Sequence, residues 1–102
     1  DLAKAIQGRD DLQIMVEGHT DTDAFSRSSF PRNNWDLSVL RATSVVNVML
    51  ENSEIDPVMI IAAGRSEYLP VDPADKSKNR RIEVILTPNL DDLMNMVSGG
   101  TE

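Results

Sequence analysis

The chain has no cysteine and only four aromatic residues, Phe25, Phe30, Trp35 and Tyr68. Without thiols it forms no disulfide, no thiolate metal site and no cysteine nucleophile. With so few rings, a core has to be built from Val, Ile, Leu, Met and Ala. Long apolar runs are missing as well. The longest, residues 58–63, falls far short of the roughly 20 residues that cross a bilayer, so any membrane attachment is expected from regions outside this stretch. Positive charge is also scarce: 10 Lys and Arg stand against 17 Asp and Glu, a net charge of −7. That balance excludes the basic footprint a nucleic acid requires and opposes docking on anionic lipid. Lys76, Lys78, Arg80 and Arg81 make one local exception.

What remains is a chain of 102 residues, 40% hydrophobic and 26% charged, the composition of a single folded domain. Residues 1–7 read as the tail of a helix, with Leu2, Ala3 and Ile6 on one face and Gly8 as its stop. A domain seldom opens in mid-helix, so the expectation is a piece of a longer protein. Residues 11–17 read as a strand, bounded by Asp10 and Gly18. Residues 21–34, rich in Ser and Asn around Pro31, read as a long loop. A helix should follow, capped by Asn34 or Asp36 and running to about Asn52. Its buried stripe would be Ala42, Val45, Val46 and Met49, with Ser44, Asn47 and Glu51 opposite and Arg41 on the border.

After Pro57, residues 58–63 suggest a nearly continuous apolar strand ended by Gly64. Residues 65–78 are polar, with one short helical turn expected over 74–78. Residues 81–87 alternate as a strand with Ile82, Val84 and Leu86 inward, and Pro88 stops it. Leu90, Leu93, Met94 and Val97 are spaced for a short helix, so residues 1–88 form the domain and 89–102 a terminal helix and tail. The fold class is α/β in the α+β sense. A mixed parallel and antiparallel sheet would carry its helices on one face.

Two residues invite a functional reading. Asp21 falls just past the end of a strand, and Arg41 early in the next helix. In a β–α unit those places are neighbours, at the edge where such sheets bind ligands. The pair is either a structural salt bridge or the two poles of a site for a zwitterion. His19 is the sole histidine. With no Cys and no matching acid pair in sequence it makes a poor metal site, and no nucleophile motif accompanies it. A hydrogen-bonded strand-end histidine is expected. Asp21 and Asp23 sit too close in sequence to serve as opposed hydrolytic carboxylates, and Asp72 and Asp75 read as loop residues. No catalysis, cofactor or metal is expected.

Three ordered motifs go further. Gly18-His19-Thr20-Asp21 supplies GHTD, Asn34, Leu37, Ser38 and Arg41 supply NxxLSxxR, and Asn79, Arg80, Arg81 and Glu83 supply NRRxE. Together they resemble the OmpA-like domain, the peptidoglycan-anchoring module of Gram-negative envelopes, over residues 1–87. The resemblance implies non-covalent binding of the meso-diaminopimelate of the stem peptide, in the periplasm, by part of a membrane-anchored protein. It carries that role onto Asp21 for the ammonium and Arg41 for the carboxylate. Asn34, Thr20, Leu37 and Arg80 would be further contacts. It also implies a strand ahead of residue 1; an edge left open there would invite pairing with a second copy. Gly64-Arg65-Ser66-Glu67 departs from the family's G-x-G-E segment at Arg65-Ser66, within a connection. The long spacer with Asn-Trp-Asp-Leu-Ser is similar to that of MotB-type stator proteins, and to envelope proteins unrelated to motors. The other reading is an envelope protein–protein interaction domain with this fold and no wall binding.

Overall fold

The computed structural model describes residues 11–23 and 25–88. The helix expected over residues 1–7 and the terminal helix and tail expected over 89–102 lie outside them. Branched residues make Leu12–His19 the central strand, β1. It runs two residues further than expected, because Gly18 and His19 still pair with Ile82 and Arg81 across the sheet. The helix α1 spans Asn34–Asn52. Its cap is Asn33, not Asn34 or Asp36: Asn33 carries the extended backbone a cap needs, and its side chain accepts from the Asp36 N–H at 3.0 Å.

Pro57–Met59 forms a 3-10 turn rather than the start of a strand, and β2 is Ile60–Gly64. The cause is local: Pro57 has no N–H to give a ladder, and the Asp56 carboxylate caps the turn by accepting from Val58 N–H at 3.0 Å. The short helix α2 is Lys76–Asn79, begun by Asp75 accepting from Ser77 N–H, and β3 is Arg81–Pro88.

The sheet order is β2-β1-β3, with β1 parallel to β2 and antiparallel to β3. The expected mixed sheet is what forms. Ile14 and Val16 on β1, Ala42 and Met49 on α1, and Ile55 make the buried centre. Val45, Val46, Leu50, Ile60, Ile82 and Val84 pack around it. Leu86, expected inward, is exposed.

Where β1 and β2 end, two paired glycines let α1 come down onto the sheet. A Cβ on Gly18 would lie 2.1 Å from the Ser38 carbonyl oxygen, and one on Gly64 2.4 Å from Ser38 Oγ. Only glycine tolerates that approach. The start of α1 is thereby held over the strand ends, and with it the residues one turn on.

Candidate functional site

Beyond β1 the chain passes through Thr20 and Asp21, both buried, before it bends at Thr22 and Asp23. Thr20 N–H is fixed by the Ser66 carbonyl at 2.8 Å. The Asp21 carboxylate, only 6% exposed, accepts from Asp23 N–H at 2.9 Å through Oδ1 and from Arg80 Nη1 at 3.0 Å through Oδ2. An ionised carboxylate has about four lone-pair sites, so acceptor capacity remains open. Asn34 Nδ2 donates to the carbonyls of Asp21 and Asp23 at 3.3 and 3.2 Å. It closes the loop back on the helix and leaves its own oxygen unengaged by these contacts.

A cleft of about 150 Å³ opens here, lined by Thr20, Asp21, Asp23, Phe25, Asn34, Leu37, Arg41 and Arg80. All six residues singled out in the sequence share it. Asp23, weighed in the sequence only as a carboxylate beside Asp21, and Phe25 of the long loop line it as well. The Asp21–Arg41 salt bridge does not form. Asp21 is paired with Arg80 instead, and Arg41 makes no hydrogen bond or ion pair with any described residue. Thr20 Oγ1 is likewise buried in this wall without a partner among the described residues.

Asp23 is clasped by Lys76, and that bond and charge hold the Asp23 carboxyl below its ordinary value of 3.8 while raising the Lys76 ammonium above 10.5. The clasp joins the loop after β1 to α2. Asn79, also buried, braces the same stretch: its Oδ1 accepts from Val71 and Asp72 N–H, and its Nδ2 donates to the Asp72 carbonyl. Ser38, wholly buried, donates to the Trp35 carbonyl and accepts from Ser66 N–H at 3.1 Å. These two motif residues build the frame rather than line the cleft.

On the other face of the sheet, the expectation that His19 lacks an acid pair is corrected. Glu17 and Glu83 both meet its Nε2, at 2.7 and 2.9 Å. No motif spacing links Glu83 to His19; the antiparallel β1–β3 register brings it there. Arg81 Nη2 lies 2.9 Å from Glu83 and Arg65 Nε 3.9 Å from Glu17. The ligand atoms of Glu17, His19 and Glu83 lie within 4.8 Å of one another, a spacing that could also hold a metal ion, while Arg81 and, more distantly, Arg65 supply compensating charge. Arg81 also donates to the Leu69 carbonyl at 3.0 Å and belongs to this bracing network.

Of the spacer aromatics, Phe25 reaches the cleft, whereas Phe30 is 57% exposed and anchors nothing in the core. Ser66, where the family pattern has glycine, adopts a left-handed φ of 55°. The departure within the connection therefore sits at a strained position.

Residues 1–83 match the OmpA family. Motility protein B of Bacillus subtilis is 39% identical over 79 residues, 74% of this chain and 30% of its own length. The uncharacterised protein YtxE of the same organism is 32% identical over 77 residues, 72% of this chain and 31% of its own. The chain thus spans under a third of these relatives. Among solved structures, the periplasmic domain of Helicobacter pylori MotB superposes with a TM-score of 0.78 at 25% identity, covering 95% of this chain and 62% of that one. A MotB-like protein from Desulfovibrio vulgaris gives 0.69 at 29% identity, covering 79% and 54%.

Proposed function

This chain belongs to the OmpA family, and from that premise we propose that it is the wall-gripping part of a larger envelope protein. Domains of this family generally bind peptidoglycan. The ligand we assign is the stem peptide, held at the amino-acid end of its meso-diaminopimelate. Asp21 accepts from the ligand ammonium, and Arg41 takes its carboxylate through two parallel hydrogen bonds. Thr20 Oγ1 and the free oxygen of Asn34 offer neutral polar contacts. Leu37 lies against the ligand's methylene chain, and Arg80 adds a second cation beside Asp21.

The observation that carries this reading is an imbalance. One cleft holds a buried, fixed acid and an arginine with no partner among the described residues. A cation spends no binding energy on the protein itself when it has nothing to pair with, so its charge is available for an anion from outside. An arginine in the first turns of a helix gains nothing from the helix dipole, which favours anions there. Binding would occur on the wall side of the cytoplasmic membrane, where the family's periplasmic members work, and would tether whatever the rest of the protein does.

The deciding experiment is sedimentation of the protein with purified sacculi, with and without free meso-diaminopimelate. Retention that the free amino acid abolishes is the expected result. Retention that it leaves untouched would move recognition away from the acid–arginine cleft. No retention at all would favour a domain that pairs with an envelope protein.

A further inference from the structure

We propose that a second groove, next to the acid–arginine cleft, binds neutral N-acetylhexosamine units of a glycan strand by stacking them on Trp35 and Tyr68. The groove measures about 380 Å³ and is lined by Phe25, Asn33, Asn34, Trp35, Glu67 and Tyr68 among others, which places it within the range of about 300–1,000 Å³ typical of small-ligand sites.

Three of the chain's four aromatic residues line this one groove. The buried core contains none of them. Trp35 is 50% exposed and Tyr68 63% exposed, yet they are held together, ring centroids 5.5 Å apart and planes 36° apart. One comes from the first turn of α1 and the other from the connection after β2, so the platform is made by the fold and not by sequence proximity. Exposed rings gathered in a concavity are the usual mark of a binding surface.

The lining also selects the ligand. It contains no Lys or Arg, so an anionic group would find no partner, and Glu67 would repel it. Thr22, Ser26, Asn33 and Asn34 form a polar rim of hydroxyl and amide groups. A pyranose ring offers what this needs: a C–H face of partial positive charge for the electron-rich ring faces, and hydroxyl and acetamido groups for the rim. Phe25 and Asn34 line both openings, so the two are contiguous. A sugar and the peptide attached to it can therefore be held at once; the choice of an acetamido sugar, though not of a neutral one, rests on the peptidoglycan reading.

Titration with chitotetraose, a soluble N-acetylglucosamine oligomer bearing no peptide, tests the groove separately from the cleft. Trp35 is the only tryptophan, so its fluorescence reports on the site. A saturable change is expected, weakened about tenfold in Tyr68→Ala and retained in Tyr68→Phe, with saturating meso-diaminopimelate failing to compete. No response to chitotetraose, or equal affinity in Tyr68→Ala, overturns the glycan groove and leaves the stem-peptide reading standing. Chitotetraose binding together with sacculus binding that meso-diaminopimelate cannot displace would support the groove and sink the stem-peptide reading instead.

Discussion

Asp21 and Arg41 differ in what the protein has already done with them. Asp21 is pinned at both oxygens, by Asp23 N–H and by Arg80, while Arg41 is left to the cleft. Truncating one member of a desolvated charged contact costs about 2–5 kcal/mol, enough to erase a micromolar complex. Asp21→Asn and Arg41→Ala should therefore each abolish sacculus sedimentation while leaving the circular dichroism of the fold unchanged; retention by either folded variant would remove the charge pair from the site. Their positions are legible in the sequence because both stand in ordered motifs. The identity of Asp21's partner is not, since Arg80 lies 59 residues downstream and only the sheet brings it back. Ser66 is legible as a departure and no more. Its φ of 55° shows what the departure means: a serine in a conformation glycine adopts without cost, for which a side chain is penalised by about 1–3 kcal/mol. Ser66→Gly keeps both backbone bonds, from Thr20 N–H to the carbonyl and from the amide to Ser38 Oγ. It should raise the stability by about 1 kcal/mol in urea unfolding. A lower midpoint would mean that the hydroxymethyl group supports the site more than the backbone strains it.

At the level of elements, the sheet and the long helix can be read from alternation and from the stripe of Ala42, Val45, Val46 and Met49, which does face the core. Boundaries are less legible, and each difference has a local chemical cause. Asn33 outcompetes its neighbours as a cap through its extended backbone, and Pro57 with Asp56 converts the start of an apolar run into a helical turn. Hydrophobicity cannot register either effect. Nor can periodicity show that Gly18 and Gly64 are the seat of α1, although that seat decides how close Arg41 comes to the strand ends. A methyl group on Gly18 would have to displace the Ser38 backbone, because at 2.1 Å from that carbonyl oxygen it falls well inside van der Waals contact. Overpacking of this kind costs about 1–3 kcal/mol. Gly18→Ala should lower the melting temperature and, in the fraction that folds, weaken meso-diaminopimelate binding by lifting α1 away from Asp21. If Gly18→Ala melts lower but binds as the parent does, the helix seat serves stability alone.

Across the whole molecule the charge distribution is uneven: a net charge of −7 surrounds a cleft whose rim carries Arg41, Arg80 and, through Asp23, Lys76. The Asp23–Lys76 clasp ties the loop after β1 to α2, so its titration acts on both sides of the rim. The signs can be worked out from each partner. Lys76 lowers the Asp23 pKa below 3.8 in the folded protein, so this half of the clasp stabilises above 3.8 and is lost as pH falls through the lowered value. Asp23 raises the Lys76 pKa above 10.5, so that half is present below 10.5 and is lost as pH rises through the raised value. Both side chains are more than half exposed to solvent, so the contribution is small and screened by salt. The expected signature is a difference curve: parent minus Lys76→Met melting temperature should be flat between about pH 5 and 9 and shrink towards zero on both flanks. It should also shrink when salt is raised at neutral pH. A difference that persists unchanged to the acid flank would show that Lys76 acts through its methylene chain rather than its charge, and the rim would then be held by the Asn79 brace without the clasp.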